Sequence, residues 1–404
     1  MCPQFLKQLK FQIFLVCCGI VFIGCLLLAH SGPRHWTART SLQIFDEEDS
    51  SAPEVAPVKS NIPYLTSLLR DRLTLPNDAL RINYRSPCRE HEDDVQPCVE
   101  EGCASLADKP LEERIQDLVL SPQFELSDEQ LKNVLEVVSN IPEADVIISS
   151  ASSRNHFYEM QSMFHSLHET VYPVLKNFTV VLFDLGLKKR QRKLAEKFCR
   201  CQVVSFPFEL FPAHVSNLLC YSWKAIIIRA LITKARQVLV WQDSSIRWTK
   251  NFPVIFERAL RYGQQFLQHK RGARITANTH QLMFSYMKEE ICLYHTYREI
   301  QCGLQVMKND LLVVQAVLNP WTRCALEESC ICPVDPETVI ECKKDTNSTL
   351  HRCHRFDQSA MSILLSKLYA ADRYRIIIPE FSNDNPKYVQ IKRGDKIRDY
   401  FSIH

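Results

Sequence analysis

The feature that most constrains the fold of this chain is an alternation of apolar runs and amphipathic stretches between about residues 145 and 248. The runs typical of buried strands are 145–148, 178–183, 202–206 and 238–241. Helix-like stretches separate them, and the connections are short. Such an alternation favours a mostly parallel sheet with helices on both faces. We therefore predict an α/β fold for this part of the chain.

The stretches between these runs have the apolar spacing of helices. After the first run, Phe157, Met160 and Phe164 fall on one helical face, and 221–234 predicts a long helix before the last run. Ahead of the sheet, Ser127 and Gln130 have capping-box spacing, which predicts a helix start. Beyond residue 248 the predicted elements are a helix near 252–266, a strand at 274–277, a helix at 361–369 and a final strand at 375–378.

Two strand ends carry polar residues that suit a ligand. Asp243 follows the last run, and the ends of strands in an open α/β sheet face the ligand crevice, so Asp243 is a candidate for holding a nucleotide or a metal. A turn closed by an Asx hydrogen bond is the alternative. Ser150 lies in the hydroxyl-rich turn after the first run, where unpaired helix amides suit nucleotide or anionic groups. Simple helix capping is its alternative.

The N-terminus contains an uncharged apolar run at 11–29. At 1.5 Å per residue this run is long enough to cross the roughly 30 Å core of a bilayer. Lys7 and Lys10 precede it, which favours a cytoplasmic N-terminus. We predict a cytoplasmic tail (1–10), a single-pass type II anchor (11–29) and a stem (30–60). A cleaved signal peptide is the alternative, because 29–31 resembles a cleavage site.

Cysteine usage favours an oxidising compartment. The chain has 17 cysteines. The number that follows the anchor is odd, so disulfide pairing leaves one of them free or available for an intermolecular bond. Such a bond would make a homodimer. A zinc site among the cysteines between 324 and 353 is the alternative, but a Cys-x-Cys pair with irregular gaps is not a recognised zinc spacing. Asn177 and Asn347 stand in glycosylation sequons, which fit the lumenal side of a membrane.

Charge and composition divide the rest of the chain. The net charge of +3 is too small to indicate a nucleic-acid partner. We predict an N-terminal helical and disulfide-bonded extension (61–140), a main domain (141–385) and a basic C-terminal tail (386–404). Gly-x-Gly-x-x-Gly and Walker A motifs are absent from the sequence, so the sheet ends in an acidic motif instead of a glycine-rich one.

An anchor, a stem, a disulfide-bonded lumenal α/β domain and an acidic motif after the fourth strand together resemble Golgi glycosyltransferases of the GT-A fold. The resemblance implies a nucleotide-sugar donor, whose ribose and metal are bound by an Asp-x-Asp motif. Here the motif is Asp243-Ser244-Ser245, and a hydroxyl is a weaker ligand for Mn²⁺ or Mg²⁺ than a carboxylate. That departure puts metal dependence in doubt.

Three motifs strengthen the resemblance, namely YSWKAIII at 221–228, VWQDSSIR at 240–247 and CHRFDQSA at 353–360. In this order they are similar to an animal family, expanded in nematodes, known only as a domain of unknown function with glycosyltransferase-like features. The similarity covers roughly 140–380. It implies a fold more strongly than a reaction.

The resemblance implies roles for the donor-side residues. Lys224 would touch a phosphate or the sugar, or else be a solvated helix lysine. Asp243 would contact ribose or metal, and Ser245 would be a second ligand or only form the turn. Arg247 would neutralise the diphosphate, which its planar fork suits, or else form a salt bridge.

On the acceptor side, Asp357 would be the catalytic base that takes a proton from the acceptor hydroxyl, or a helix N-cap. His354 would be a phosphate or metal ligand, or a structural histidine. These roles predict a Golgi glycosyltransferase that moves a sugar to a hydroxyl of a glycan or glycoprotein. The alternatives are a non-catalytic lumenal binding protein on the same fold and a disulfide-rich secreted or cell-surface interaction protein.

Overall fold

The computed structural model of this protein describes residues 61–75, 105–268, 273–342, 353–379, 381 and 383–403. All of them belong to a unit that spans 56–404. The predicted tail, anchor and stem (1–60) lie outside the described residues. Within the described ranges, every helix is too short or too polar to cross a membrane.

A six-stranded sheet and a two-stranded sheet organise the chain. The strands are β1 (Ala144–Ser152), β2 (Phe178–Asp184), β3 (Gln202–Ser205), β4 (Ala235–Gln242), β5 (Ile246–Trp248), β6 (Gln264–Gln268), β7 (Ile300–Lys308) and β8 (Val389–Ile391). In the larger sheet the order is β3-β2-β1-β4-β7-β6. The smaller sheet pairs β5 with β8.

The larger sheet is mostly parallel, which confirms the predicted α/β fold. The strands β1 to β4 are parallel, and β7 runs antiparallel to both β4 and β6. Ile148 is registered with Val180 on one side and with Val240 on the other. Because the chain moves outward from β1 to β3 and then returns to place β4 beside β1, the strand order reverses between β1 and β4. Ligands of open α/β sheets bind in the crevice at this kind of switch point.

The helices cover both faces of this sheet. Those that are used below are α1 (Ile62–Thr74), α2 (Leu111–Val119), α3 (Asp128–Glu136), α4 (Phe157–Thr170), α5 (Lys189–Phe198), α6 (Ser222–Leu231), α7 (Pro253–Tyr262) and α8 (Gln281–Met287). Helical turns at Leu311–Val313 and Val314–Leu318 lead into α9 (Asn319–Ala325), followed by α10 (Glu328–Ile331), α11 (Pro336–Val339), α12 (Asp357–Tyr369) and α13 (Tyr400–Ile403). The predicted capping box is confirmed, since Ser127 and Gln130 bond reciprocally at the start of α3.

Alternating strand residues divide the core into two layers, as the two-residue period of a strand requires. Leu239 and Trp241 of β4 pack with α6, α9 and α12 on one face. Val238 and Val240 pack with α4 and α7 on the other. The sheet is therefore buried on both faces, which explains why its central strands read as continuous apolar runs.

The segments on either side of the predicted main domain are continuous with it. Leu65, Ile115 and Val134 of α1, α2 and α3 join the same apolar layer as α6. At the other end, β8 pairs with β5, and Phe401 of α13 packs against Phe164 of α4. The basic tail from residue 386 is thus part of the main fold, and so are the described residues of the 61–140 extension.

The sequence prediction was wrong in the second half of the sheet. The helix predicted near 252–266 ends at Tyr262, because Gly263 adopts φ +89° and residues 264–268 continue as β6. A side chain is strained in this backbone region, so glycine is the natural helix terminator. The antiparallel β7 was not predicted.

Two predicted strands are also wrong. At 274–277 the structure has one isolated bridge, from Arg274 to Arg298. At 375–378 a 3₁₀ helix continues to Ile376, and Ile377 makes a single bridge with Phe266. These short runs are apolar because they pack into the core and not because they pair along a strand.

Candidate active site

A cavity of about 670 Å³ opens over the carboxyl ends of β1 and β4, at the switch point of the sheet. Its wall combines the turn after β1, the start of α6, the turn after β4, Gly303 of β7, residues 354–358 and part of the C-terminal segment 391–396. This volume lies in the usual range of ligand pockets. Most of the predicted site residues lie in the wall of this cavity.

Lys224 lies at the floor of this cavity, in the first turn of α6. Its side chain is only 4% exposed, so it is not a solvated helix lysine. Its Nζ lies 3.2 Å from Asp243 Oδ1 and 3.0 Å from Asp357 Oδ2. The ring centroids of Tyr221, Trp223 and Trp241 lie 5.3, 5.8 and 5.8 Å from the same nitrogen. Two carboxylates and three aromatic rings thus hold one ammonium group.

Asp243 extends from the end of β4 into the cavity, with 38% of its side chain exposed. Its Oδ1 also accepts a hydrogen bond from Trp241 Nε1 at 3.0 Å, and its backbone N–H donates to the Gly303 carbonyl at 2.7 Å. A Cβ atom on residue 303 would lie 3.2 Å from Asp243 Oδ2. The close approach of β7 therefore favours glycine at this position and fixes the direction of the aspartate.

Asp357 begins α12 and reaches the same lysine from the opposite side. Its side chain is 5% exposed, and its carbonyl oxygen accepts a hydrogen bond from Trp321 Nε1 at 3.1 Å. Phe356 stands at the N-cap position, so Asp357 is not the helix cap that local sequence suggests. Asp243 and Asp357 are separated by more than a hundred residues in sequence, and Lys224 joins them.

Burial and charge act in opposite directions on this group. Burial alone would lower the pKa of Lys224, but the Asp243 and Asp357 carboxylates raise that pKa above its ordinary value. Burial raises the pKa of Asp357, and the Lys224 ammonium opposes the rise. An isolated charge at this depth would be costly, and the ion pairs are what allow three charged groups to be held there.

Further cations line the cavity from parts of the chain that the sequence did not connect with the site. Arg355 comes from the segment before α12, and Arg393 and Lys396 come from the C-terminal segment. The backbone holds this segment over the cavity, because the Gly394 N–H donates to Glu159 Oε1 at 2.8 Å and the Lys392 N–H donates to the Ser245 carbonyl at 2.8 Å. The basic concentration in the tail was the only available sequence signal.

His156 and Glu159 form a second polar pair in the cavity wall, which sequence reasoning missed. His156 Nδ1 lies 3.3 Å from Glu159 Oε2. The hydrogen bond to Glu159 raises the pKa of His156, and burial opposes the rise. Glu159 reads in sequence as an ordinary polar residue of α4, so no local signal marked it.

Of the other predicted donor-side residues, only Ser245 lies in the cavity wall. Ser150 is fully buried within β1, below the turn residues that line the cavity. Arg247 is directed away from it, because its guanidinium donates to the Ser244 carbonyl at 2.6 Å and pairs with Asp395 at 3.2 Å. The structure thus favours the salt-bridge alternative for Arg247 over diphosphate binding.

His354 is a structural histidine and not an available metal ligand. Its Nδ1 accepts from the His280 backbone N–H at 3.2 Å, and its Nε2 lies 3.1 Å from the Ile331 carbonyl. Both nitrogens are therefore occupied. Burial lowers the pKa of His354 to about 3. The described residues contain no cluster of His, Cys, Asp and Glu that could hold a metal ion.

This burial predicts a specific pH dependence of stability. Between about pH 6.5 and 3 the unfolded chain binds a proton at His354 and the folded protein does not, so acid favours unfolding. From pH 7 to pH 5, wild type should lose about 2 kcal/mol more unfolding free energy than His354→Gln, as measured by urea unfolding. The exposed His165→Gln should behave like wild type. An equal loss in His354→Gln and wild type would contradict the assignment.

Within the described ranges the cysteines between 324 and 353 form disulfides, as predicted, and not a zinc site. The described pairs are Cys199–Cys201, Cys220–Cys332, Cys324–Cys330 and Cys342–Cys353. Cys302 is the free cysteine of the described ranges and is fully buried. It cannot make the intermolecular bond of the predicted homodimer without unfolding. Asn177 is exposed, and Asn347 lies outside the described residues.

Comparison with known families finds a match over part of the chain. A family model described as a protein of unknown function, DUF1647, matches residues 117–229. This range includes Lys224 but neither Asp243 nor Asp357, and it spans a little over a quarter of the chain. No curated protein sequence matches the chain.

Several solved glycosyltransferase structures are distantly similar to this chain. They include the mannosyltransferase Ktr4p from S. cerevisiae in complex with GDP, with 9% identity, a TM-score of 0.34 and coverage of 76% of this chain and 84% of that one. The galactosyltransferase LgtC, with donor and acceptor sugar analogues, has 12% identity, a TM-score of 0.29 and coverage of 55% and 70%. The bifunctional glycosyltransferase WbbM has 8% identity and a TM-score of 0.30. The similarity covers 46% of this chain and 35% of WbbM, so this chain spans about a third of the length of WbbM.

Proposed function

We propose that this protein is a glycosyltransferase that moves a sugar from a nucleotide-sugar donor to a hydroxyl group of a glycan or glycoprotein. The observation that carries the proposal is the pair of carboxylates, Asp243 and Asp357, held by the buried Lys224 beneath the cavity at the switch point of the sheet. A strand-end carboxylate and a second, helix-start carboxylate thus lie on the same floor.

The cavity offers groups that suit the ribose and the diphosphate of a nucleotide-sugar. The exposed part of the Asp243 carboxylate can accept hydrogen bonds from ribose hydroxyls. Arg355, Arg393 and Lys396 line the cavity with positive charge, and such side chains suit a diphosphate. Ser245 adds a hydroxyl at the same rim. The arrangement favours an anionic ligand, such as a nucleotide, over a neutral ligand.

Asp357 is the group that we assign to the chemistry. The acceptor oxygen forms a bond to the anomeric carbon of the sugar, and the bond from that carbon to the diphosphate oxygen breaks with its electron pair. The acceptor proton passes to the Asp357 carboxylate. A carboxylate with a raised pKa is a stronger base than an ordinary aspartate, which suits this role.

We further propose that the protein works in the Golgi lumen as a single-pass type II membrane protein. The uncharged run at 11–29 supports an anchor. Disulfides such as Cys220–Cys332 and Cys324–Cys330 are typical of an oxidising compartment. The sequon residue Asn177 is exposed, which fits glycosylation on that side of the membrane.

One observation favours a second candidate, a non-catalytic lumenal or cell-surface binding protein on the same fold. Lys224 neutralises part of the charge of both carboxylates, and Asp357 is almost fully buried. A site of this kind would hold a nucleotide without accepting a proton from a sugar hydroxyl. The two candidates differ in turnover and not in nucleotide binding.

Nucleotide binding is therefore the first expected result. UDP or GDP should raise the melting temperature of the purified chain, because a ligand that binds only the folded state stabilises it by about 2.7 kcal/mol at a hundred times its Kd. Asp243→Ala should abolish the shift, whereas Asp395→Ala, outside the cavity lining, should retain it. If neither diphosphate changes the melting temperature, the proposed function is wrong. An unchanged shift in Asp243→Ala would move the site elsewhere.

A further inference from the structure

We infer that the Lys224 ammonium group takes the place of a divalent cation, so that this site binds a nucleoside diphosphate without a metal. The nucleotide part of this inference rests on the proposed function. The cation part rests on the geometry of Lys224, Asp243 and Asp357 alone.

The space between the two carboxylates is already filled by a positive charge. Lys224 Nζ lies 3.2 Å from one carboxylate and 3.0 Å from the other, and both distances are those of direct ion pairs. Mn²⁺ and Mg²⁺ prefer several oxygen ligands at about 2.0–2.2 Å around one centre. An ion placed between Asp243 and Asp357 would have to occupy the volume of the ammonium group. The residues present therefore do not fit a divalent cation at this position.

The surroundings of Lys224 fix it there. The rings of Tyr221, Trp223 and Trp241 pack around the nitrogen, and the side chain is 4% exposed. Lys224 belongs to α6, all of whose residues are buried. For a divalent ion to enter, the Lys224 ammonium group would have to leave two carboxylates and three aromatic faces.

Charge supports the same conclusion. Two carboxylates and one ammonium leave the floor with a net charge of −1, and Arg355, Arg393 and Lys396 add three positive charges along the wall. These lining residues bring the sum to +2, which can attract a diphosphate without a metal ion. Glu159 in the same wall reduces the sum to +1, and His156 adds a further positive charge when protonated.

Removing the lysine should reveal the metal site that it replaces. In Lys224→Met the volume of the ammonium group is empty. The two carboxylates that face it are then a pair of hard oxygen ligands for Mn²⁺. Manganese titration, followed by electron paramagnetic resonance and by melting temperature, should show at least tenfold tighter binding of Mn²⁺ to Lys224→Met than to wild type. Adding Asp243→Asn to that variant should remove the gain.

The nucleotide arm uses UDP and GDP with isothermal titration. EDTA should change the Kd of wild type less than twofold. Lys224→Met should bind the diphosphate at least tenfold more weakly in EDTA and recover in part with Mn²⁺. Lys367→Met is the matched control, because Lys367 also bridges two carboxylates, Asp117 and Glu289, but lies outside the cavity lining. That control should keep diphosphate binding at the level of wild type.

The outcomes separate the inference from the proposed function. Two results would overturn the inference even if Lys224→Met does not fold. One is that wild type binds Mn²⁺ and that Asp243→Asn abolishes this binding. The other is that wild type binds the diphosphate tenfold more weakly in EDTA. If wild type binds neither UDP nor GDP, with or without Mn²⁺, the proposed function is wrong. In that case the manganese titration without nucleotide still decides whether Lys224 stands in for the metal.

Discussion

Asp357→Asn should lower the rate of sugar transfer by about two to four orders of magnitude, which is the usual contribution of a positioned acid or base. The asparagine has nearly the shape of the aspartate but cannot take up the acceptor proton. Lys224 retains its ion pair with Asp243, so binding of the diphosphate should persist. The measurement is the initial rate of transfer, compared with the Kd for UDP or GDP in the same variant.

A matched control is available for this substitution. Asp117→Asn also removes a carboxylate from a lysine that bridges two acids, because Lys367 pairs with Asp117 and Glu289. Asp117→Asn should change the free energy of unfolding in the same direction as Asp357→Asn does. Its rate of sugar transfer should remain that of wild type. A variant Asp357→Asn that transfers sugar at the wild-type rate would show that another group takes the proton. Loss of diphosphate binding would instead assign Asp357 to the donor.

Removal of the Cys220–Cys332 disulfide should produce the largest loss of stability among the described disulfides. The two cysteines are 112 residues apart, and the chain-entropy model gives about 4 to 5 kcal/mol for a loop of that length. Cys220 directly precedes Tyr221 and the start of α6, so the bond also holds the helix that carries Lys224. Unfolding by urea of the Cys220→Ala, Cys332→Ala double variant measures the effect.

The disulfide between Cys199 and Cys201 is the control for that experiment. Its cysteines are two residues apart, so the same model gives only about 1.6 kcal/mol. Cys199→Ala, Cys201→Ala should therefore lose roughly 3 kcal/mol less than the double variant at 220 and 332. Equal losses in the two variants would contradict loop closure as the main cause.

Local patterns were sufficient for the first half of the sheet. The apolar runs from 145 to 241 alternate with helices at short range, so each strand and its neighbouring helix could be predicted from period and spacing. The end of β4 was identified for the same reason, since Gln242 and Asp243 follow four apolar residues. Lys224 was a candidate through the resemblance of the motif at 221–228 to a known family, and not through a local pattern.

The contacts that complete the site are not local. Asp357 meets Lys224 only after the chain has added β6, β7 and the disulfide-bonded loop, and no periodic signal reports such a meeting. Gln264 and Gln265 of β6 are polar yet fully buried, and they bond to Tyr369 and to the Arg375 carbonyl. Because these polar residues interrupt the apolar pattern, the strand was read as the end of a helix.

For Arg247 the local sequence suggested a role in the site that its contacts in the fold do not support. Its position after an acidic turn suggested a phosphate ligand, and a guanidinium suits that role. In the fold its N–H groups satisfy backbone carbonyls of its own turn and a carboxylate of the C-terminal segment. The cations of the cavity wall are Arg355, just before α12, and Arg393 and Lys396, just after β8, and all three are far from β4 in sequence.

The most direct test of glycosyl transfer is to incubate the purified chain with a panel of UDP- and GDP-sugars and to detect donor hydrolysis by mass spectrometry. Glycosyltransferase chemistry predicts that wild type converts at least one donor to a free sugar and a nucleoside diphosphate. Asp357→Asn should convert the same donor at least about a hundredfold more slowly. A wild-type chain that binds UDP or GDP but cleaves none of the donors would contradict transfer and favour the non-catalytic binding protein.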